Sequence, residues 1–262
     1  MHEMHKADNS EPPHIFGIRP LIEAIRSGKL LDRIFIQKGL QGENAKELIV
    51  LLRAHQLPYQ SVPIEKLNRL TRKNHQGVFA FLTEVEYQPF DEVLTHVYET
   101  GETPLVMLLD RVTDVRNFGA IARSAECFGV HALIVPGKGS APASPDAVKT
   151  SAGALLRLPV CREDNLKKTL LFLKDSGVKL IACTEKGAES LYSTDLSGPV
   201  CLIMGSEEDG ISAEYLKLCD QRSFIPMHGQ TASLNVSVAA GIFLNEVNRQ
   251  RLNTSLVNLP RE

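Results

Sequence analysis

The sequence predicts an α/β protein with two domains, a small α/β domain followed by a larger domain built on a parallel sheet. Its 262 residues suffice for one large domain or two small ones. From residue 104 onward, nearly unbroken apolar segments alternate with helical ones. Such strands are buried on both faces, as in a parallel sheet covered by helices. Before residue 83 shorter helices and strands alternate, which indicates a separate α/β unit.

The N-terminal domain is predicted over residues 14–95, after a flexible tail at 1–13. RPLIEAIRSG predicts a helix because Pro20 fits its first turn and Gly28 follows its end, and DRIFIQ predicts a strand. GENAKELIVLLRAHQ predicts a second helix with one apolar side formed by Ala45, Leu48, Ile49, Leu51 and Leu52. PIEKLNRLT predicts a third helix, and GVFAFL a closing strand after the turn RKNHQG. Through residue 95 there are 12 basic and 12 acidic residues, so this half is expected to be neutral.

The second domain is predicted over residues 104–262, after a linker at 96–103 and a boundary near 95. Its predicted strands are PLVMLLD, HALIVP, LLRLPV, VKLIAC, PVCLIMG and RSFIPM. Ligands of parallel sheets bind beyond the carboxyl ends of the strands. The loops that follow these strands are therefore where a functional site is expected.

Composition excludes several classes of protein. No apolar run approaches the roughly 20 residues of a membrane span, and the N-terminus lacks the apolar core of a secretory signal, so a cytoplasmic protein without a membrane partner is expected. The five cysteines are odd in number and widely spaced, which indicates buried free thiols and no metal site. The sequence lacks the GxGxxG motif of dinucleotide-binding proteins, the P-loop GxxxxGK(S/T), the HExxH of zinc proteases and the GxSxG of α/β-hydrolases. A net charge of −2 argues weakly against a protein coated in nucleic acid but leaves room for a local basic patch.

Three segments after predicted strands carry polar residues in unusual patterns. In DRVTDVRNFGAIARSAECFG, Asn117 is a candidate helix cap, and Arg123 lies opposite the apolar side of that helix. Arg123 is either a solvated arginine or, together with Arg116, a phosphate ligand.

The second and third segments follow later strands. In LIMGSEEDGIS, a strand ends at Met204 and Gly205 before three acids, which either cap the next helix or favour a cationic or neutral ligand. In FIPMHGQTASLNVSVAAG, a strand ends at Met227, and Ser233 and Asn235 begin a helix. Ser233 is either a simple N-cap or a ligand-binding residue.

Taken together and in this order, NFGAIARSA, IMGSEEDGIS and IPMHGQTASLNVSVAAG resemble the three motifs of the SpoU family of RNA ribose 2′-O-methyltransferases, in the SPOUT class. The resemblance covers roughly residues 104–251. HQGVFA, in the N-terminal half, resembles the substrate-binding domain of rRNA-modifying members. The resemblance implies a SPOUT domain with a deep trefoil knot, S-adenosylmethionine as cofactor, and a homodimer. It departs at DVRNFGA, where many relatives carry a different pair before the asparagine, and this leaves the local RNA contact open.

The family's functional residues carry over to matching positions of this sequence. The resemblance implies catalytic roles for Asn117, Arg123, Glu207, Ser233 and Asn235. It implies cofactor contacts at Thr184, Lys186, Gly187, Ile203, Met204, Gly205, Ile225, Met227, Ser233 and Leu234. The expected target is RNA, with a guanosine of large-subunit rRNA favoured. The alternatives are a tRNA methyltransferase of the same fold and a nonenzymatic RNA-binding protein.

Arg123 suits a charged role better than that of a base. Deprotonating an arginine at neutral pH costs on the order of 7 kcal/mol. A guanidinium that stabilises the developing alkoxide, or that holds the adjacent phosphate, is chemically easier. RNA contacts are further expected at Arg69, Arg72 and Lys73 in the basic stretch RLTRKNHQG, and at Arg116; the alternative for the stretch is a solvated turn.

Overall fold

The computed structural model describes residues 13–83 and 85–257. Contacts divide the chain between residues 84 and 85 into two compact units. This division lies before the boundary expected near residue 95, because the helix Phe90–Glu99 buries Phe90 and Leu94 in a core of the second unit. The predicted linker at 96–103 therefore begins inside that helix. The predicted tail, apart from Pro13, falls outside the described residues.

The N-terminal unit is a four-stranded mixed sheet with helices on both faces. Its elements are β1 (His14–Phe16), α1 (Ile18–Arg26), β2 (Leu31–Gln37), α2 (Glu43–Ala54), β3 (Tyr59–Val62), α3 (Ile64–Leu70) and β4 (Val78–Leu82). The strand order is β1-β4-β2-β3, with β2 and β3 parallel and the other pairs antiparallel. The three predicted helices and both predicted strands are present. The edge strands β1 and β3 are additional; they are short and only partly buried, so their apolar pattern is weak.

The second unit is a seven-stranded sheet in which every strand pair is parallel. The strand order is β7-β6-β5-β10-β8-β11-β9. The strands are β5 (Leu105–Leu109), β6 (Ala132–Pro136), β7 (Val160–Glu163), β8 (Lys179–Cys183), β9 (Glu189–Ser190), β10 (Val200–Met204) and β11 (Gln221–Phe224). The helices are α4 (Phe90–Glu99), α5 (Val115–Cys127), α6 (Pro145–Thr150), α7 (Leu166–Asp175), α8 (Ala213–Leu216) and α9 (Val236–Val257), with 3₁₀ turns at Ala154–Leu156 and Leu191–Ser193.

The central strands are buried on both faces, as their unbroken apolar sequence predicts. In β5, Met107 joins the core shared with α5 and α9, whereas Leu108 joins the core shared with α4 and α7. β10 divides in the same way, with Leu202 on the first face and Ile203 on the second. Helices therefore cover both faces of the sheet and leave the ends of its strands accessible. The trefoil knot stays a prediction.

Two predicted strands end or begin elsewhere. LLRLPV was expected to be a strand, but Leu155 and Leu156 lie in a 3₁₀ turn and β7 begins only at Val160. The turn forms because Gly153 takes a left-handed conformation with φ of 79°. RSFIPM was expected to extend to Met227, but β11 ends at Phe224. Pro226 has no N–H to donate to a neighbouring strand.

The five cysteines are all free thiols, but only three are fully buried. Cys161, Cys183 and Cys201 lie in the sheet, and burial raises the pKa of the Cys161 thiol to about 12. Cys219 is half-buried and Cys127, at the end of α5, is exposed, contrary to the expected burial of all five. Within residues 13–83 and 85–257, no cluster of His, Cys, Asp or Glu suits a metal ion. Nor is any helix in these ranges apolar over a length that would cross a bilayer.

Candidate functional site

A cavity of about 370 Å³ opens where the carboxyl ends of β8, β10 and β11 meet. Its walls come from the loops after these three strands and from the first turns of α9. Its lining is of two kinds, with carboxylates from Glu207 to Asp209 on one wall and apolar side chains such as Ile225 and Phe243 elsewhere. The cavity therefore lies at the edge of the sheet where the sequence predicted a site.

The acidic loop, residues 205–210, turns back on itself directly after β10. Ser206 and Gly210 exchange backbone hydrogen bonds of 3.1 and 3.0 Å. Gly205 makes this turn possible, because a Cβ there would lie 2.1 Å from the carbonyl carbon of Gly210 and 2.3 Å from the nitrogen of Ile211. Such distances are well inside van der Waals contact and involve backbone atoms. Any side chain at residue 205 would therefore force the acidic loop to move.

Asp110 and Arg111, at the end of β5, hold the acidic loop in place. The buried Asp110 carboxylate accepts hydrogen bonds from the backbone nitrogen and hydroxyl of Ser212, both at 2.6 Å. Arg111 donates to Asp110 at 3.1 Å, to Asp209 at 3.0 Å and to the carbonyl of Gly210 at 3.2 Å. Its hydrogen bond to Asp110, above all, raises the pKa of Arg111. Sequence reasoning missed both residues, although a charged pair directly after a buried strand was an available signal.

Three of the five residues predicted to be catalytic form one hydrogen-bonded cluster. Asn117 Nδ2 donates to Glu207 Oε1. Asn235 Nδ2 donates to Asn117 Oδ1 at 3.0 Å and lies 3.5 Å from Glu207 Oε1. The cluster joins three segments that are far apart in sequence, and it borders the cavity through Glu207 and Asn235.

The helix caps differ from those expected. Asp114, not Asn117, caps α5, and its carboxylate accepts from the backbone nitrogens of Arg116 and Asn117, both at 2.8 Å. Asn235, not Ser233, caps α9, and its Oδ1 accepts from the nitrogen of Ser237 at 2.9 Å. Because Asp114 satisfies the first turn, the Asn117 side chain is available to bind Glu207.

Because Asp114 caps α5 and Asn117 binds Glu207, substitution of the two residues should have different effects on stability and activity. Asn117→Ala should lower the methyl-transfer activity that the motif resemblance implies by about tenfold to a hundredfold, because hydrogen bonds to charged groups contribute about 1.5–3 kcal/mol, and should leave the melting temperature nearly unchanged. Asp114→Ala should lower the melting temperature by about 2–4 °C, since a lost cap costs about 1 kcal/mol. Calorimetry and a methyl-transfer assay check both variants. A marked fall in the melting temperature of Asn117→Ala would instead favour a structural role for this residue.

The other two predicted catalytic residues lie outside the cluster. Ser233 lines the cavity. Arg123 is exposed and lies six residues beyond Asn117 on α5, a spacing that rotates a side chain by about 240° and advances it by about 9 Å. Arg123 does not line the cavity. Arg123 is therefore separated from the other four predicted catalytic residues of its own chain.

Most of the predicted cofactor residues surround the cavity. The lining includes Thr184, Lys186, Met204, Gly205, Ile225, Met227, Ser233 and Leu234. Ile203 does not line it, because its side chain points to the opposite face of the sheet. Gly187 packs against the backbone of β11, where a Cβ would lie 2.7 Å from the carbonyl carbon of Ser223. Pattern reasoning missed the apolar lining from α9, namely Val236, Ala239 and Phe243.

A second cavity of about 330 Å³ adjoins the first across the acidic loop. Its lining includes Asn117 and Asp114 at the start of α5, with Ser206 to Asp209 shared between the two cavities. The Asn117–Glu207–Asn235 cluster therefore stands between two spaces. A ligand in the first cavity and a second reactant in the adjoining one would both border these side chains.

The predicted RNA-binding residues are all exposed. Arg69 lies on α3, and Arg72 and Lys73 lie in the loop that follows it. His75 orders this loop, because its Nδ1 accepts from the Gly77 nitrogen at 3.0 Å while its Nε2 contacts Asn68 Oδ1 at 2.9 Å. Arg116 lies at the start of α5, in the second unit.

Comparison with known proteins identifies both units. Residues 104–245 match the SpoU rRNA methylase family, and residues 14–88 match the RNA 2′-O ribose methyltransferase substrate-binding family. The chain belongs to the SpoU family of RNA methylases. This confirms the family resemblance of the three motifs, and it makes the protein an RNA methyltransferase.

Two of the relatives described next match this SpoU methylase over nearly its whole length, and a third matches about two thirds of it. A tRNA/rRNA methyltransferase of Mycobacterium sp. (strain KMS) is 35% identical over 94% of this chain and 78% of its own. The structure of the SpoU methyltransferase AviRb from Streptomyces viridochromogenes, in complex with AdoMet, is similar with a TM-score of 0.59 and 28% identity, over 92% of this chain and 90% of its own. A TrmH/SpoU tRNA-modifying enzyme of A. aeolicus is similar over only 65% of this chain and 88% of its own, with a TM-score of 0.54 and 29% identity.

Proposed function

We propose that this SpoU methylase transfers a methyl group from S-adenosylmethionine to a ribose 2′-hydroxyl of RNA, with a guanosine of large-subunit rRNA as the target. The observation that carries the proposal is the hydrogen-bonded cluster of Asn117, Glu207 and Asn235 between two adjoining cavities. One cavity would hold the methyl donor, and the other is open to the RNA.

The first cavity fits S-adenosylmethionine, which is the cofactor in the AviRb complex and the methyl donor of this family. When bound, it supplies an electrophilic methyl group on a positively charged sulfur. The carboxylates of Glu207, Glu208 and Asp209 suit a cationic ligand, because opposite charges attract strongly in a cleft. The apolar side chains of Ile225 and Phe243 suit an adenine ring, since such pockets combine apolar walls with a few polar groups.

The cluster would position the ribose for an in-line displacement. The Asn117 and Asn235 amides fix Glu207, so its carboxylate is held ready to accept a hydrogen bond from the 2′-hydroxyl. Alignment of this kind contributes a large part of the rate of a two-reactant displacement. A charged guanidinium from Arg123 would stabilise the negative charge that develops on the 2′-oxygen as its proton passes to the Glu207 carboxylate.

We further propose a homodimer in which Arg123 serves the cavity of a second copy. Arg123 is exposed and lies apart from the cluster of its own chain. Exposed apolar side chains on α9 support an interface, with Val238 at 51% and Leu252 at 55% exposure. α9 packs against α5, the helix that carries Arg123. A second copy that packs against α9 would therefore also lie close to α5.

The choice of rRNA rests on the N-terminal unit. That unit matches a substrate-binding family, whereas the tRNA-modifying neighbour is similar over only 65% of this chain. A chain that adds a dedicated RNA-binding domain suits a large folded RNA. The relatives of known source compared with this chain are bacterial proteins. Bacterial RNA is modified in the cytoplasm, and we propose this location for the protein.

Substrate identity can be tested with RNA from cells that lack the protein. Purified enzyme and labelled S-adenosylmethionine are incubated separately with rRNA and with tRNA, and the methylated position is then mapped. The proposal expects label in the large-subunit rRNA. Label confined to tRNA would favour the tRNA alternative, and absence of S-adenosylmethionine binding would favour a nonenzymatic RNA-binding protein.

A further inference from the structure

The N-terminal unit carries a net positive charge, although the whole chain has a net charge of −2. Residues 1–84, the whole unit, contain twelve Lys and Arg and nine Asp and Glu, a net charge of +3, and within residues 13–83 the counts are eleven and five. The twelve acids counted through residue 95 include seven that lie before residue 13 or after residue 83. With the boundary after residue 84, three of these acids (Glu86, Asp91 and Glu92) belong to the second unit, and the N-terminal unit is basic rather than neutral.

This charge is concentrated on one side of the sheet. α3 and the loop after it carry Lys66, Arg69, Arg72 and Lys73 against the single acid Glu65. Three of the other four acids within residues 13–83, Glu23, Glu43 and Glu47, lie on α1 and α2. Those two helices cover the opposite face of the sheet, where they share a core with Ile34 of β2 and Ala80 of β4.

The same basic side carries a row of aromatic rings. Phe16, Phe79 and Phe35 are register partners across β1, β4 and β2, so they share one face of the sheet. Phe81 packs edge-on against Phe79, with ring centroids 5.1 Å apart. Phe35 and Phe79 are buried with Leu67 of α3, but Phe16 and Phe81 remain half-buried at the β1 side of the sheet. We call Phe16 and Phe81, together with the three cations Arg33, Lys66 and Lys73 that lie over rings on this side of the sheet, the aromatic face.

Three cations lie over these rings. Arg33 lies 4.8 Å from the ring centroid of Phe81, and Lys73 lies 5.7 Å from that of Phe16. Lys66 lies 4.7 Å from the ring centroid of Phe35. The buried Asp32 is the acid nearest to Arg33, at 3.5 Å. Partly exposed aromatic rings and positive charge are thus combined within one small area.

We propose that the aromatic face binds an unpaired segment of the RNA substrate, with bases stacked on Phe16 and Phe81 and phosphates held by Arg33, Lys66 and Lys73. This inference rests on the proposed function and names the form of RNA that the N-terminal unit takes. The charge asymmetry selects a polyanion. The aromatic rings select unpaired bases, because the bases of a duplex are stacked on each other and offer no free face.

The charge part of the proposal is tested with two matched variants of the full chain. Lys66→Gln with Lys73→Gln removes two charges from the aromatic face, and Lys46→Gln with Arg53→Gln removes two from exposed positions on α2. Fluorescence anisotropy with a labelled, unstructured RNA oligonucleotide gives the affinity at several salt concentrations. We expect the first variant to bind about tenfold more weakly and with a salt slope smaller by about 1.4. The α2 variant should keep the wild-type slope. Equal losses in both variants would overturn the proposal.

The stacking part is tested with Phe16→Leu and Phe81→Leu, which keep an apolar side chain but remove the ring. Each should weaken binding of the unpaired oligonucleotide about fivefold or more, and hardly change binding of the same sequence as a duplex. S-adenosylmethionine binding should stay at the wild-type value, and the melting temperature should fall by only a few degrees, because a lost aromatic pair costs about 0.5–1.5 kcal/mol. Unchanged affinity for the unpaired probe, or a loss of dimer in ultracentrifugation in place of a loss of affinity, would overturn the proposal. Failure of the wild-type chain to methylate any RNA, with these binding losses intact, would contradict only the proposed function.

Discussion

Gly205→Ala is expected to weaken S-adenosylmethionine binding by about tenfold to a hundredfold and to reduce methyl transfer accordingly. The added methyl group would lie 2.1 Å from the carbonyl carbon of Gly210, so the acidic loop must move. Forcing a methyl group into a packed site costs about 1–3 kcal/mol, and the moved loop is the carboxylate wall of the cavity. Isothermal titration calorimetry with S-adenosylmethionine measures the effect.

Gly198→Ala is the matched control for this change. Gly198 precedes β10 and Gly205 follows it, but a Cβ at residue 198 meets no atom within 4 Å. Its affinity for S-adenosylmethionine and its melting temperature should match those of the wild type. If Gly205→Ala also binds with wild-type affinity, the acidic loop does not form part of the methyl-donor site.

Arg123→Ala is expected to lower methyl transfer by about a hundredfold or more, the typical effect of removing one group that stabilises developing negative charge. S-adenosylmethionine affinity should stay nearly unchanged, because Arg123 does not line the cavity. Single-turnover rates and calorimetry separate these two quantities. A variant with full turnover would remove Arg123 from the mechanism.

Mixing the two variants decides which copy's cavity Arg123 serves. In a dimer of one Arg123→Ala chain and one Gly205→Ala chain, the first has an intact cavity and the second an intact arginine. If Arg123 acts on the partner copy, the mixed dimer regains activity that neither parent shows. If Arg123 acts within its own chain, or if the protein is a monomer, mixing restores nothing.

The sheet of the second unit was predictable because β5 and β10 are apolar throughout and β8 is apolar after Lys179, a pattern that indicates burial on both faces. The caps were not. Asp114 and Asn117 are both good capping residues, and only the backbone of the folded chain shows that α5 begins directly after Asp114, which leaves the Asn117 side chain to bind Glu207. The short strand β9 carries no pattern at all, since two residues cannot show a period.

The candidate site was predictable where function requires particular residue types. Asn117, Glu207 and Asn235 were found through the family motifs, and the structure brings them into hydrogen-bonding contact. Arg111 was missed because its role depends on geometry, with one guanidinium joining Asp110, Asp209 and Gly210. The charge of the N-terminal unit was missed for another reason: a boundary near 95 added acids that belong to the second unit.

The position of the transferred methyl group tests the central claim most directly. Wild-type protein is incubated with S-adenosylmethionine and RNA from cells that lack it, and the RNA is digested to nucleosides and analysed by mass spectrometry. We expect a nucleoside that carries the added methyl group on its ribose 2′-oxygen. A methyl group on a base, with the ribose unmodified, would contradict it.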